Sequence, residues 1–333
     1  MLIEDAIKLD YSDVLIRPKR STLTSRFDVE MERTYTFYHS RKEWTGVPVI
    51  ASNMDTTGTF EMHNELSKHG MTTCIARHYN RDGKKWIQAE HKNKLCVMSG
   101  ISDTEISEII GVAMTFSDVA FVGLDVANGY TMNFVDSVKR LRNELPNATI
   151  IAGNVVTGDM VAELIVAGAD IIKVGIGGGS VCTTRTKTGI GYPQLSAVIE
   201  CADAAHGIGG HIIADGGCNS SGDIVKAFAA GADFVMIGGM LAGHEECDGK
   251  LVFEDDVDEP VGMEFYGMAS KTAMDKHGHS NREYRGEEGK TVTVPYRGPV
   301  EYTVSDILGG IRSACTYVGA KRLKDLPKCT TFV

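Results

Sequence analysis

The 333-residue sequence contains no C-x-x-C pair and no H-E-x-x-H motif, although it has eight cysteines and ten histidines. Thiols scattered without metal-ligand spacing exclude a zinc ribbon or a disulfide framework and fit a reducing compartment, so a cytoplasmic protein is expected. A catalytic transition metal is not expected, and His63 and His69 read as residues on a helix surface. No apolar stretch reaches the roughly eighteen residues that would signal a membrane-spanning helix. The opening MLIEDAIKLD is acidic and mixed, unlike a secretory leader. Positive charge is also scarce: 34 Lys and Arg stand against 44 Asp and Glu, a net charge of −10. That balance argues against nucleic acid or an anionic membrane as the main partner, so any anionic ligand must be held by local groups. Hydrophobic residues at 43% and charged residues at 23% are an ordinary globular mixture, which excludes disorder for the bulk of the chain.

What the chain does have is a repeated rhythm. Short apolar runs rich in β-branched residues begin at Val47, Met71, Leu95, Val119, Thr149, Ile171, His211 and Asp233, and the first four lie 24 residues apart. That spacing is the length of one strand, one helix and two short loops. Between the runs lie stretches with helical periodicity: FEMHNELSKHG, ISEIIGVAM, FVDSVKRLRNELP, MVAELIVAGAD and DIVKAFAAGAD. The last two close on near-repeated AGAD turns. Strands apolar along their whole length, alternating with helices, imply a parallel sheet, and eight such units close most naturally into an α/β (β/α)₈ TIM barrel. An open doubly wound sheet is the alternative.

Two segments break the rhythm: the loop from Gly175 to about Pro193, and a long excursion after the eighth run, about 244–302. Connections of this kind after barrel strands carry lids or binding elements. Loops after the seventh and eighth strands often hold phosphate, and here they read Asp215-Gly216-Gly217 and Gly238-Gly239. Glycines let backbone N–H groups approach an anion, while Asp215 suits a ribose as hydrogen-bond acceptor. Phosphate plus ribose points to a nucleotide. The loop GIGGGSVCTTRTKTG sets Cys182 among hydroxyls and near Arg185 and Lys187. Those are conditions for a nucleophilic thiolate, with an inert thiol or a ligand contact as alternatives. The loop's glycines complete neither a dinucleotide fingerprint nor a Walker motif. Its carbonyls could instead hold a monovalent cation.

The segments YSDVLIRPKRS, ASNMDTTGTFEM, GLDVANGY, KVGIGGGSVCTTRTKTGIGYPQLSAV, IIADGGC, GADFVMIGGMLAGHEE, FYGMAS, EYRGEEGKTVTVPYRGPV and ILGGIRSACTYVGA together resemble the IMP dehydrogenase/GMP reductase superfamily over nearly the whole chain. The regular early spacing leaves no room for the regulatory CBS insertion of the dehydrogenases, and EYRGEEGK resembles the reductase flap. The resemblance therefore implies one catalytic barrel over residues 1–333 with a mobile flap. It implies a reductase that converts GMP to IMP through a Cys182 thioimidate, with hydride from NADPH. An insertion-free dehydrogenase and a non-catalytic nucleotide-binding barrel are the alternatives.

Residue by residue, the resemblance implies Cys182 as nucleophile and Thr184 with Glu288 as the proton-handling pair, Glu287 being a rival for the acid. It implies nucleotide contacts from Ser180, Asp215, Gly216, Gly217, Gly238 and Gly239, with Met268, Ala269, Ser270, Arg285 and Gly286 closing over the base. For NADPH it points to Ser25, Arg26, Arg77, Asp125, Val126, Ala127, Ile176, Gly177 and Tyr284. Ser313, Ala314, Cys315 and Thr316 would come from a neighbouring subunit, which implies a homotetramer. Gly177, Gly179, Cys182 and Arg185 resemble a potassium site. The chain departs from the superfamily pattern at Gly178, where proline is common, at Ala269, where serine is common, and at Arg77, where lysine is usual. FEDDVDEP is more acidic than the pattern.

Overall fold

The fold was analysed in a computed structural model that describes residues 3–255, 258–277 and 286–333. An antiparallel hairpin of β1 (Arg33–Thr36) and β2 (Glu43–Gly46) comes first. Each of the eight apolar runs then supplies one parallel strand: β3 (Val49–Ala51), β4 (Thr72–Ile75), β5 (Leu95–Ser99), β6 (Phe121–Asp125), β7 (Ile150–Val155), β8 (Ile171–Val174), β9 (His211–Asp215) and β10 (Phe234–Ile237). They close as a barrel in sequence order, β10 pairing with β3. The expected TIM barrel is therefore the observed one, and the open sheet is excluded. Every residue of β4, β5, β8 and β10 is buried, as strands covered on both faces require.

Strand-to-helix turns are set by hydroxyl caps. Thr59, Ser102, Thr131 and Ser220 accept hydrogen bonds from the amides of Met62, Glu105, Phe134 and Asp223. Each helix then buries one stripe, such as Phe134, Val135, Val138 and Leu141 in helix Met132–Glu144. The same rule corrects the reading of His63. It follows Phe60 and precedes Leu66 by three residues each, on the inward stripe of helix Phe60–Lys68. It is fully buried, its Nε2 2.7 Å from the Glu90 carbonyl, so it is a core residue and not a surface one.

The barrel's amino end is plugged by the hairpin. Tyr35, Phe37 and Trp44 pack on Phe121 and Phe234, the first residues of β6 and β10, and the Tyr35 hydroxyl donates to the Asp233 carbonyl at 2.6 Å. The two AGAD turns act alike beside this plug. Asp170 Oδ2 accepts the Ile150 amide at 3.0 Å and pairs with Arg142 at 2.7 Å. Asp233 Oδ2 accepts the Ile212 amide at 3.0 Å and His206 Nε2 at 2.8 Å, with Arg33 at 3.5 Å. Burial pushes the Asp233 carboxyl up, but His206 and the other cations hold it below the ordinary range, and Asp233 in turn raises His206.

The excursion after β10 carries a second sheet in which β11 (Leu251–Val252) and β13 (Thr291–Pro295) flank β12 (Gly262–Tyr266), all antiparallel. His244 ties its two ends together, Nδ1 with the Gly298 carbonyl and Nε2 with the Thr303 hydroxyl, both at 2.9 Å. The chain then enters the long helix Glu301–Val318, which packs on the helix after β9. Among the described residues no helix is long and apolar enough to cross a membrane.

Candidate active site

The loops at the carboxyl ends of β8, β9 and β10 meet, as the barrel's handedness dictates. Gly216 and Gly217 take positive φ, +98° and +81°, so the chain turns sharply after Asp215, and the Gly217 amide bonds the Gly178 carbonyl at 2.9 Å. Gly239 lies against Ser180: a Cβ there would stand 2.5 Å from the serine hydroxyl. Ser180, Gly216, Gly217 and Gly239 thus lie around one rim, with Gly238 starting the turn at the end of β10.

Cys182 is half-buried on this rim. Its Sγ lies 3.2 Å from Thr184 Oγ1, which donates to Glu288 Oε2 at 2.8 Å. Glu288 reaches this position because the excursion's return strand pairs with the cysteine loop. The Thr183 amide donates to the Glu288 carbonyl and the Lys290 amide to the Val181 carbonyl, both at 2.9 Å, around an antiparallel bridge between Cys182 and Gly289. Glu287 contributes its carbonyl here, accepting from the Thr183 hydroxyl at 3.3 Å. The arrangement permits a proton to travel from sulfur through a hydroxyl to a carboxylate. Burial denies other thiols that chemistry, raising Cys96, Cys201 and Cys218 well above the ordinary thiol range and pushing Cys247 to about 11.

Beneath the rim lies a charged layer built on Asp125 and Asp215, whose central Lys173 sequence reasoning missed. Lys173, third residue of β8, is 2% exposed and bridges Asp125 at 3.0 Å and Asp215 at 3.2 Å. Asn53 donates to Asp125 at 2.7 Å and Asn154 to Asp215 at 2.9 Å. Burial alone would lower Lys173, but the two carboxylates hold it above its ordinary value. The signal available in the sequence was a lysine inside an otherwise apolar strand run. Arg77 joins the same layer, its Nη2 donating to the Asp125 carbonyl at 2.7 Å and its Nη1 pairing with Glu105 at 3.3 Å. Val126 is half-buried and Ala127 exposed in the turn that follows.

Of the other expected residues, some lie beside this rim and some apart from it: a Cβ on Gly289 would stand 2.9 Å from the Ser270 amide. Ser25 caps the short helix Arg26–Asp28, which packs against helix Glu301–Val318, the carrier of Ser313, Ala314, Cys315 and Thr316. Cys315 is fully buried. Met268 and Ala269 are exposed at the end of β12, whereas the buried Ser270 caps helix Lys271–Lys276 with its hydroxyl. Gly286 is exposed; Tyr284 and Arg285 lie outside the described residues. Ile176 and Gly177 are half-buried at the start of the cysteine loop, Gly177 with φ +80°. The Gly179 carbonyl accepts the Cys182 amide at 3.0 Å, and Arg185 is held by Asp10 at 3.0 Å and the Tyr192 carbonyl at 2.5 Å.

Comparison with known proteins places these features in a family. Residues 8–333 match the IMP dehydrogenase / GMP reductase domain. The chain is 56% identical over 337 residues to a GMP reductase of Photobacterium profundum, covering 100% of this chain and 96% of that one. It is 57% identical over 338 residues to a GMP reductase of Caenorhabditis elegans, covering 99% and 93%. A GMP reductase of Phytophthora infestans is 55% identical over 334 residues, covering 99% and 91%.

Proposed function

The chain belongs to the IMP dehydrogenase/GMP reductase family, and from that premise we propose that it is an oxidoreductase that converts GMP to IMP and ammonia at the expense of NADPH, a step of purine salvage. The observation that supports this reading most is the hydrogen-bond chain from Cys182 through Thr184 to Glu288, with links of 3.2 and 2.8 Å.

When the thiol proton passes along this chain to Glu288, the sulfur becomes a thiolate and adds to purine C2. The exocyclic amine leaves as ammonia once it has taken a proton, which Glu288 returns through Thr184. The C2–N bond breaks and a thioimidate to Cys182 remains. NADPH, when bound, supplies the hydride that C2 accepts. The C2–S bond then breaks, sulfur keeps the electron pair, and IMP departs. Backbone amides at Gly216, Gly238 and Gly239, with the Ser180 hydroxyl, hold the phosphate beside Gly217, whose own amide is committed to the Gly178 carbonyl, and Asp215 accepts from the ribose. Met268, Ala269, Gly286 and the backbone of Ser270 close over the base, joined by Arg285.

Asp125, Val126, Ala127, Ile176, Gly177 and Arg77, with Tyr284, would hold NADPH, the guanidinium favouring the extra phosphate. The fit rests on Arg77, already anchored to the Asp125 turn at 2.7 Å. Ser25 and Arg26, with a neighbouring subunit's Ser313, Ala314, Cys315 and Thr316, complete the cofactor site in a homotetramer. Neutral carbonyls of Gly177, Gly179 and Cys182, beside Arg185, suit a hard monovalent ion, and potassium there would stiffen the cysteine loop. We further propose that the excursion acts as a flap on one catalytic unit, and that the enzyme works in the cytoplasm, where its free thiols stay reduced.

Purified protein given GMP should oxidise NADPH, and mass spectrometry should find a purine adduct on the Cys182 peptide. Reduction of NAD on IMP with silence on GMP would make the protein a dehydrogenase and overturn the reading.

A further inference from the structure

Three potential ligand atoms meet at the barrel mouth, none of them a cysteine sulfur. Asp55 lies in the loop after β3, His78 in the turn after β4, and His277 at the end of helix Lys271–Lys276 in the excursion. One atom from each lies within 4.8 Å of the other two. Asp55 is 1% exposed, and its Oδ2 already accepts the Tyr266 hydroxyl at 3.0 Å, which fixes the carboxylate's orientation. His277 Nε2 lies 2.6 Å from Oδ2. His78 Nδ1 points at Oδ1 from 3.3 Å, yet among the described residues it is a buried nitrogen without a hydrogen-bond partner. That nitrogen faces the pinned carboxylate without the alignment of a hydrogen bond, a gap that a metal ion could fill.

We propose that Asp55, His78 and His277 form a site for a zinc-class divalent cation that ties the excursion to the barrel mouth. Zinc bonds of about 2.0–2.2 Å at tetrahedral angles set ligand atoms about 3.3–3.5 Å apart, which the 3.3 Å between Asp55 and His78 already matches. The ion would replace the short Asp55–His277 hydrogen bond, and any proton held there leaves to solvent as the metal–nitrogen bond forms. Two neutral imidazoles and one carboxylate leave the fourth position open to water. The Tyr266 hydroxyl then serves as the outer partner that orients the carboxylate. The histidine side chains are 24% and 26% exposed, which gives the ion a path in. Lys276 does not oppose it, being paired with Asp248 at 3.6 Å.

The test is zinc titration of the chelator-treated, full-length protein by calorimetry, without nucleotide, repeated with cobalt to read its visible spectrum. One ion per chain is expected, with nitrogen- and oxygen-ligated cobalt bands and no sulfur-to-metal charge transfer. His78→Ala and His277→Ala should each weaken binding by more than the roughly 10–100-fold typical of losing an outer partner. Cys182→Ser should leave it unchanged. No binding, binding that survives both histidine variants, or binding lost in Cys182→Ser would each overturn the proposal. If Asp55→Asn fails to fold, the His277 variant decides, since that side chain is partly exposed at a helix end. GMP-dependent turnover measured before metal is added reports on the reductase reading separately.

Discussion

At the amino end of the barrel, Asp170 and Asp233 commit their carboxylates to backbone amides of β7 and β9, each backed by cations, beside a plug of Tyr35, Phe37 and Trp44. At the carboxyl end, Asp125 and Asp215 share one buried lysine and two side-chain amides, and the loops above them carry hydroxyls, glycines and a thiol. The lower carboxylates are almost fully buried, at 0% and 4% exposed, while the upper ones keep 19% and 22%. The lower pair is satisfied by main chain that cannot leave, so it fixes geometry. The upper pair is satisfied by side chains, so its lone pairs stay addressable by a ligand. Burial raises Asp125, but Lys173 foremost and then Arg77 hold it below the ordinary carboxyl range, so it stays charged at neutral pH.

Substitutions at the two ends should separate activity from stability. The largest effect is expected from Cys182→Ala, which should cost on the order of 10⁴-fold or more in kcat while leaving the thermal midpoint near that of the parent. Glu288→Gln should follow with a loss of about 10²–10⁴-fold, read in steady-state kinetics, and Thr184→Val should match it if the two act as one relay. Asp233→Ala should instead destabilise by about 3–5 kcal/mol, since cations and an amide lose a buried partner, with kcat of the folded fraction unchanged. Lys173→Met sharpens the contrast. It should lose both stability, by a comparable amount, and activity; a variant that lost neither would break the distinction between the ends. The smallest effect is His206→Gln. Its pKa is raised in the folded state, so its contribution is full below the unfolded value of about 6.5 and fades as pH rises through the folded value. The variant should therefore lose stability at pH 6 more than at pH 9, by less than about 1 kcal/mol because the ring is partly solvated.

How much of this could be read in advance follows the same division. Every barrel strand lies within an apolar run, because a strand buried on both faces writes its burial directly into composition. The plug was not legible: RTYT and EWTG alternate weakly, and their role depends on a barrel that forms later in the chain. The amino-end aspartates were visible only as a repeated AGAD. Cys182 stood out by its glycine-rich, cationic loop, but its bridge to Gly289 joins segments far apart in sequence and was not legible; family resemblance alone pointed to Glu288. Lys173 hid inside its strand, and His63 was misjudged because a core histidine looks like any other polar residue in a helix. Asp55, His78 and His277 follow no spacing rule, since three separate loops bring them together.

The bridge between Cys182 and Gly289 means that the acid is delivered on the same ribbon that roofs the sulfur. If Cys182 and Glu288 act as proposed, lifting that ribbon would part the thiol from its proton acceptor and disarm it. Safety and timing are then one property of a single pair of backbone hydrogen bonds.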